Sequence, residues 1–306
     1  MTLYHNPVLL SESIDELVIQ KNGIYVDVTF GGGGHSNKIL SQINEDGRLI
    51  AFDQDVESAN HNIQDSRFQF VPHNFRHLKK FLQYYQAYPV NGILADLGVS
   101  SHQFDTPQRG FSYRFEGNLD MRMNNKKGIS ARDIINSYSE ERLSNLFFKY
   151  GELNNARRIA AQIVKYRNIK EIITTTQLVD AIMPILPQGK DFKPLSQIFQ
   201  ALRIEVNQEM EVLEEFLSQT VDALKPGGRL VIISYHSLED RLVKCFMKAG
   251  NFTGTVEKDF FGNPISPFNL ITRKAIIPSE AEIAMNPRAR SAKLRIAERK
   301  EFISVK

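Results

Sequence analysis

Three aspartates frame the chemistry open to this 306-residue chain. Asp27 closes the apolar run Tyr25-Val26, Asp53 closes Leu49-Ile50-Ala51-Phe52, and Asp96 closes Ile93-Leu94-Ala95. Between the first two lies Gly31-Gly32-Gly33-Gly34-His35-Ser36. A strand, a glycine turn, a helix and a second strand ending in a carboxylate make the first half of a nucleotide-binding α/β unit. Glycines let the backbone approach a ligand with no Cβ in the way. A carboxylate at the tip of the second strand suits the hydroxyls of a ribose. Ser36 stands where a dinucleotide fingerprint wants its third glycine, and no Lys-Ser/Thr follows to make a phosphate-cradling loop. Asp27 would repel a pyrophosphate and receive an ammonium group. That charge logic favours S-adenosyl-L-methionine over NAD. The plainer alternative is a glycine-rich turn beside a surface acid, and Asp27 and Asp53 in register argue against it.

Other constellations follow further along. Asp96-Leu97-Gly98-Val99-Ser100-Ser101-His102-Gln103 leaves the fourth strand. Ligands of open parallel sheets lie outside the carboxyl ends of the strands, so Asp27, Asp53 and Asp96 are expected to converge on one crevice. Arg109-Gly110-Phe111-Ser112-Tyr113-Arg114-Phe115 interleaves cations with rings, as a nucleic-acid strand requires: Arg for phosphate, rings for bases. Ser234-Tyr235-His236-Ser237 sits at the strand-to-helix corner opposite Asp96, with Ser237 expected as the N-cap. Arg288, Arg290, Lys293 and Arg295 form a basic run without an acid. No Cys/His cluster has zinc spacing, so no metal is assigned.

The elements that must position these residues alternate at first. Strands are expected over 24–30, 48–52, 68–72 and 92–97, the last a continuous apolar run of the kind buried in a parallel sheet. From 129 to 200 the signals are helical: Leu143, Leu146, Phe147 and Tyr150 recur at i, i+3, i+4 and i+7. Ser130 with Asp133 resembles a capping box, and Thr175 or Thr176 is expected to cap a helix running to Ile185. An irregular stretch covers 188–194. A helix over 207–224 and a strand after Lys225-Pro226-Gly227-Gly228 restore the α/β pattern. The expected organisation is therefore one α/β domain over 1–104 and 204–306, interrupted at 105–203 by an all-helical insert that is a candidate for substrate recognition.

Composition is that of a globular protein, 42% hydrophobic and 24% charged, with 38 basic and 35 acidic residues. The net +3 says little by itself; the clustered cations say more. One cysteine, Cys245, cannot form an internal disulfide, which fits a reducing cytoplasm. The start lacks the basic and apolar regions of a signal peptide, and the longest apolar runs are strand-sized, so no membrane is expected.

Six motifs in order carry a resemblance. Val-Asp-Val-Thr-Phe-Gly-Gly-Gly-Gly-His-Ser (26–36), Asp-Leu-Gly-Val-Ser-Ser (96–101), Arg-Gly-Phe-Ser (109–112), Leu-Asp-Met-Arg-Met (119–123), Ser-Tyr-His-Ser-Leu-Glu-Asp-Arg (234–241) and Asn-Pro-Arg-Ala-Arg-Ser-Ala-Lys-Leu-Arg (286–295) resemble the RsmH, or MraW, family. His5-Asn6-Pro7-Val8-Leu9-Leu10 agrees too. The family methylates N4 of a cytidine in small-subunit (16S) ribosomal RNA near the decoding centre. The resemblance implies a class I S-adenosyl-L-methionine-dependent methyltransferase fold, Rossmann-like, with a mostly parallel sheet and an inserted all-helical domain. It implies cofactor contacts at Gly33, Gly34, His35, Asp53, Phe75, Asp96 and Gln103. Gly32 stands where relatives often carry a larger residue, and His102 where many carry Pro; neither matches a contact.

The expected chemistry is in-line methyl transfer to an exocyclic amine whose lone pair is delocalised into the ring. The Ser/Asp/Asn-Pro-Pro-aromatic motif of amino methyltransferases of DNA is absent, and Asp96-Leu97-Gly98-Val99-Ser100-Ser101 takes its place. With the cytidine out of its stack, Ser100, Ser101 or a backbone carbonyl is expected to accept from N4, with Tyr235 or Phe111 as stacking surface. Asp96 serves either the cofactor or the amine. Arg109, Phe111, Arg114, His236, Arg288, Arg290, Lys293 and Arg295 are the expected RNA contacts. A methyltransferase of another substrate and an RNA-binding assembly factor that holds the cofactor stay open as alternatives, as does the oligomeric state, a homodimer included.

Overall fold

The computed structural model describes residues 7–61, 63–186, 193–262 and 264–301. His5, Asn6 and most of the irregular stretch 188–194 lie outside them. The chain divides into two compact units, Met1–Gly98 with Glu211–Lys306, and Val99–Met210. The divisions fall a few residues from the 104/105 and 203/204 boundaries read from sequence. The helix that follows Asp96 is part of the second unit, and residues up to Met210 belong there as well.

In chain order the first unit runs α1 (Leu10–Leu17), β1 (Ile24–Asp27), α2 (Gly34–Gln42), β2 (Arg48–Phe52), β3 (Phe68–Val71), α3 (Leu78–Tyr84) and β4 (Val90–Asp96). The second holds α4 (Ser101–Asp105), α5 (Ala131–Ser137), α6 (Glu140–Gly151), α7 (Ala156–Arg167), α8 (Thr175–Ile182) and α9 (Lys193–Asn207). The first unit resumes at Glu211, within α10 (Glu209–Ala223), and continues with β5 (Leu224–Ser234) and α11 (Ser237–Ala249). A small hairpin of β6 (Glu257–Lys258) and β7 (Pro264–Ile265) follows, then β8 (Phe268–Leu270), α12 (Glu280–Met285) and β9 (Lys293–Arg299).

One seven-stranded sheet organises the first unit, in the order β3-β2-β1-β4-β5-β9-β8. Strands β1 to β5 are parallel, and β9 runs antiparallel to both β5 and β8. The order reverses between β1 and β4. A crevice opens at such a switch point, outside the carboxyl ends of the strands. Strand β4 is buried from Val90 to Ala95, as its uninterrupted apolar run predicts. Ile14 and Leu17 of α1 pack with Tyr25, Leu94, Val231 and Ile296 in one apolar cluster against the sheet.

The expected strand over 24–30 ends early, at Asp27, because Asp27 itself turns the chain: its carboxylate accepts from Thr29 N at 3.1 Å. Strand β9 lies where the sequence predicts a basic recognition segment. In the second unit, Leu143, Leu146, Phe147 and Tyr150 all face inward on α6, and Ser130 and Asp133 close the capping box at α5. The cap of α8 is Thr174 rather than Thr175 or Thr176, and its partner Gln177 closes a box with it. Among the described residues no helix is long and apolar enough to cross a membrane.

Candidate active site

The glycine turn between β1 and α2 has a left-handed backbone at Gly33, φ 76°. A side chain there would be strained and would press on the Phe30 ring at 3.0 Å. Helix α2 therefore begins abruptly at Gly34. The N–H groups of a helix's first turn have no intrahelical acceptors and carry partial positive charge. Asp27 braces this turn from beneath. Its Oδ1 accepts from Thr29 N, and its Oδ2 accepts from Ser36 Oγ at 2.7 Å. At 1% exposure it is not displayed to a ligand, which corrects the expectation that it receives an ammonium group directly. Burial first, offset by His35 and by the bonds from Ser36 and Thr29, holds its carboxyl above the usual range. The His35 ring is buried too. Its Nε2 lies 3.1 Å from Val8 O and its Nδ1 3.8 Å from Asp96 Oδ2.

Asp53 follows β2 directly. Its Oδ2 accepts from Gly31 N and Ser58 Oγ, each at 2.8 Å, and its Oδ1 from Asp55 N at 2.8 Å. Three of the roughly four acceptor positions of a carboxylate are thus taken by the chain. Burial outweighs these bonds and pushes the Asp53 carboxyl up to about 6. Phe75 opens a short 3-10 turn after β3, capped by Asn74, and meets Phe216 edge-on at 5.1 Å.

At the tip of β4, Asp96 Oδ1 accepts from the Tyr235 hydroxyl at 2.7 Å. Asp96 N is held by Thr29 Oγ1 at 2.7 Å, which ties the tips of β1 and β4. Burial first, then the charges of Asp27 and Glu239, push the Asp96 carboxyl up to about 6, while His35 and Tyr235 pull it down. Burial, and then Asp96, hold the Tyr235 hydroxyl well above its ordinary range, so it stays a donor. Gly98, at φ 98°, keeps the chain close to the Tyr235 ring: a Cβ there would lie 3.5 Å from it. The corner after β5 departs from expectation. The N-cap of α11 is His236, not Ser237, because the imidazole Nδ1 accepts from Glu239 N at 3.3 Å. Glu239 returns to Tyr235 N at 2.8 Å and so fixes the tyrosine's backbone. His236 is thus occupied as a cap with little surface, a correction to its expected RNA contact.

In the second unit, Ser100 is the N-cap of α4 and exchanges bonds with Gln103. Its hydroxyl already accepts from Gln103 N at 3.2 Å, and Gln103 is buried. Ser101 is half-buried in the first turn. Arg109 and Phe111, expected to meet RNA, are 6% and 5% exposed. The Arg109 guanidinium donates to the carbonyls of Arg122 and Met123 and lies 5.8 Å from the Phe111 ring centre. Both are packing residues of that unit. Arg114 and Phe115 are the exposed pair of the same loop, Phe115 at 49%.

The basic run also divides. Arg288 and Arg290 are exposed on a 3-10 turn. Lys293 and Arg295 lie on β9 and both grip Asp240, at 3.1 and 2.6 Å. Burial alone would raise the Asp240 carboxyl; the bonds from Arg295 and Lys293 outweigh it and hold it low. Arg295 is therefore a strap between β9 and α11, contrary to its expected role. The period-two alternation Lys293-Leu294-Arg295-Ile296 was the signal that a strand lay there.

A parallel sheet that reverses between β1 and β4, closed by an antiparallel β9 and carrying acids at three strand tips, defines a class I methyltransferase. Residues 2–300 match the MraW methylase family, and the chain belongs to it, a family of S-adenosyl-L-methionine-dependent methyltransferases. The chain is 56% identical over 298 residues to the ribosomal RNA small subunit methyltransferase H of Phocaeicola vulgatus, covering 97% of this chain and 98% of that protein. It is 57% identical over 297 residues to the protein of the same name from Bacteroides thetaiotaomicron, with the same coverage. Its identity to that of Flavobacterium johnsoniae is 54% over 296 residues, covering 97% and 98%.

Proposed function

We propose that this protein methylates N4 of one cytidine in small-subunit ribosomal RNA, near the decoding centre. The shared name of its relatives supports the RNA substrate, and the six motifs support the atom. The structural observation that carries the reading is the Asp96–Tyr235 pair at the switch point of the sheet.

The residues present fit the cofactor. The first-turn N–H groups of α2 suit its carboxylate. Asp53 keeps one acceptor position for a ribose hydroxyl, and the Ser58 hydroxyl can turn to release another. Phe75 flanks the crevice after β3 as a surface for adenine. When bound, S-adenosyl-L-methionine supplies an electrophilic methyl on a sulfonium.

The chain's own task is to hold the amine and take its proton. Tyr235 occupies Asp96 Oδ1, which leaves Oδ2 as the acceptor for an amino N–H. A carboxyl poised at about 6 is mostly ionised at neutral pH, yet basic enough to accept the proton that N4 must lose. Ser100 and Ser101 follow within five residues in the chain and are proposed to hold the base edge. Among the expected RNA contacts, the exposed Arg114, Arg288 and Arg290 suit phosphate, and Phe115 suits stacking. The partner is the small ribosomal subunit or its RNA, in the cytoplasm. Incubation of unmethylated small subunits with the protein and labelled cofactor tests this: the label is expected in N4-methylcytidine, and its appearance only in protein or in another nucleoside overturns the reading.

A further inference from the structure

Among the described residues, four helices close a capping box in which the N3 side chain returns to the cap: Ser100/Gln103, Ser130/Asp133, Thr174/Gln177 and His236/Glu239. Ser279-Glu280-Ala281-Glu282 has the same spacing at the start of α12, and Ser279 Oγ accepts from Glu282 N at 3.2 Å. The Glu282 side chain goes elsewhere. Its Oε1 accepts from Leu9 N at 2.7 Å, 273 residues away in sequence.

Leu9 is an unusual residue to hold. Its φ is 51°, left-handed, which costs a non-glycine residue about 1–2 kcal/mol. Its side chain is buried at 1% exposure, which fixes the kink in place. Immediately before it, the Val8 carbonyl lies 3.1 Å from His35 Nε2; a carbonyl can only accept, so this nitrogen carries the hydrogen. One residue earlier, Pro7 lies so close to Gly34 that a Cβ on residue 34 would overlap the proline ring. The arm 7–9 thus lies along the Gly34-His35 turn, and Glu282 ties its far end.

We propose that Glu282 is a positioning residue for the cofactor: by fixing the arm 7–9 against Gly34 and His35, it sets the N-terminus of α2. The inference rests on reading the Gly33–His35 turn as the cofactor seat. Loss of the Glu282 carboxylate leaves the Leu9 N–H without its acceptor at a kinked position, and the arm no longer bears on the turn.

The test is S-adenosylhomocysteine affinity, by calorimetry on the full chain. One lost hydrogen bond predicts about three- to tenfold weaker binding in Glu282→Ala. Glu282→Gln keeps an oxygen at the same reach and stays within about twofold of wild type. Glu282→Asp keeps the charge but shortens the arm, so it follows Glu282→Ala and decides the matter should the alanine variant not fold. A KM for the cofactor that rises at unchanged kcat completes the pattern. Wild-type affinity in both shortened variants, or an equal loss in the glutamine variant, overturns the proposal. A lowered melting temperature with unchanged affinity does the same. Gly33→Val separates the two levels: full binding by that variant would mean that the cofactor seat itself is misplaced.

Discussion

Asp96 and Asp53 share a pKa of about 6 and a common cause, burial at a strand tip, but they sit in different networks. The Asp96 carboxylate accepts from one tyrosine, whereas Asp53 accepts from three groups of its own stretch of chain. Substituting Asp96→Asn removes the proton acceptor while keeping the bond from Tyr235, so kcat is expected to fall about 100-fold or more. Cofactor affinity, measured separately, changes far less; an equal loss in both would assign Asp96 to the cofactor alone. Ser100→Ala is a mixed case, because the hydroxyl also caps α4: about 1 kcal/mol of stability is expected to go with it. Only a fall in kcat of the folded enzyme counts for its role toward the base.

For Asp53 the folded chain keeps its proton to about 6 and the unfolded chain only to its ordinary value near 3.8. Its contribution to stability is therefore full at low pH and lost as pH rises through about 6. The amide in Asp53→Asn does not titrate. Paired thermal melts are expected to show the variant gaining on wild type between about pH 4 and about pH 7. A constant gap would mean that the proton does not reside there.

At the scale of elements, strand β9 draws the line between structure and recognition inside one basic run. Arg295 and Asp240 form a largely buried pair, so Arg295→Ala is expected to destabilise by about 3 kcal/mol. Arg288→Ala and Arg290→Ala, on an exposed turn, are expected to shift stability by less than about 0.5 kcal/mol and, on the proposed reading, to weaken RNA binding. Denaturant titration and filter binding on the same three variants check this; a stability loss for Arg288→Ala as large as that of Arg295→Ala would contradict it. Strands β1, β2 and β4 and the box at Ser130 were legible in the sequence because each is a local pattern: an apolar run closed by an acid, or a cap with its partner three residues on. The bond of Arg295 to Asp240, the capping by His236 and the burial of Arg109 and Phe111 were not. In each, a polar residue that reads as a surface group is spent on a partner the local pattern does not announce, such as Asp240, Glu239 or the carbonyls of Arg122 and Met123.

For the whole molecule, chain order says what local pattern cannot. The first 98 residues carry the glycine turn and three acids, yet the partner of Asp96 arrives only with Tyr235, and the partner of Leu9 only with Glu282. The insertion 99–210 separates them in sequence and forms its own unit. A substrate held through exposed cations should bind with steep salt dependence, and removing any one phosphate-binding cation should flatten that slope by about one. The central claim is the identity of the methylated atom, and one measurement reaches it directly: nucleoside analysis of small-subunit RNA after incubation with the protein and S-adenosyl-L-methionine. N4-methylcytidine, formed at one site and abolished in Asp96→Asn, is the predicted result. Intact cofactor binding without that nucleoside would contradict the account.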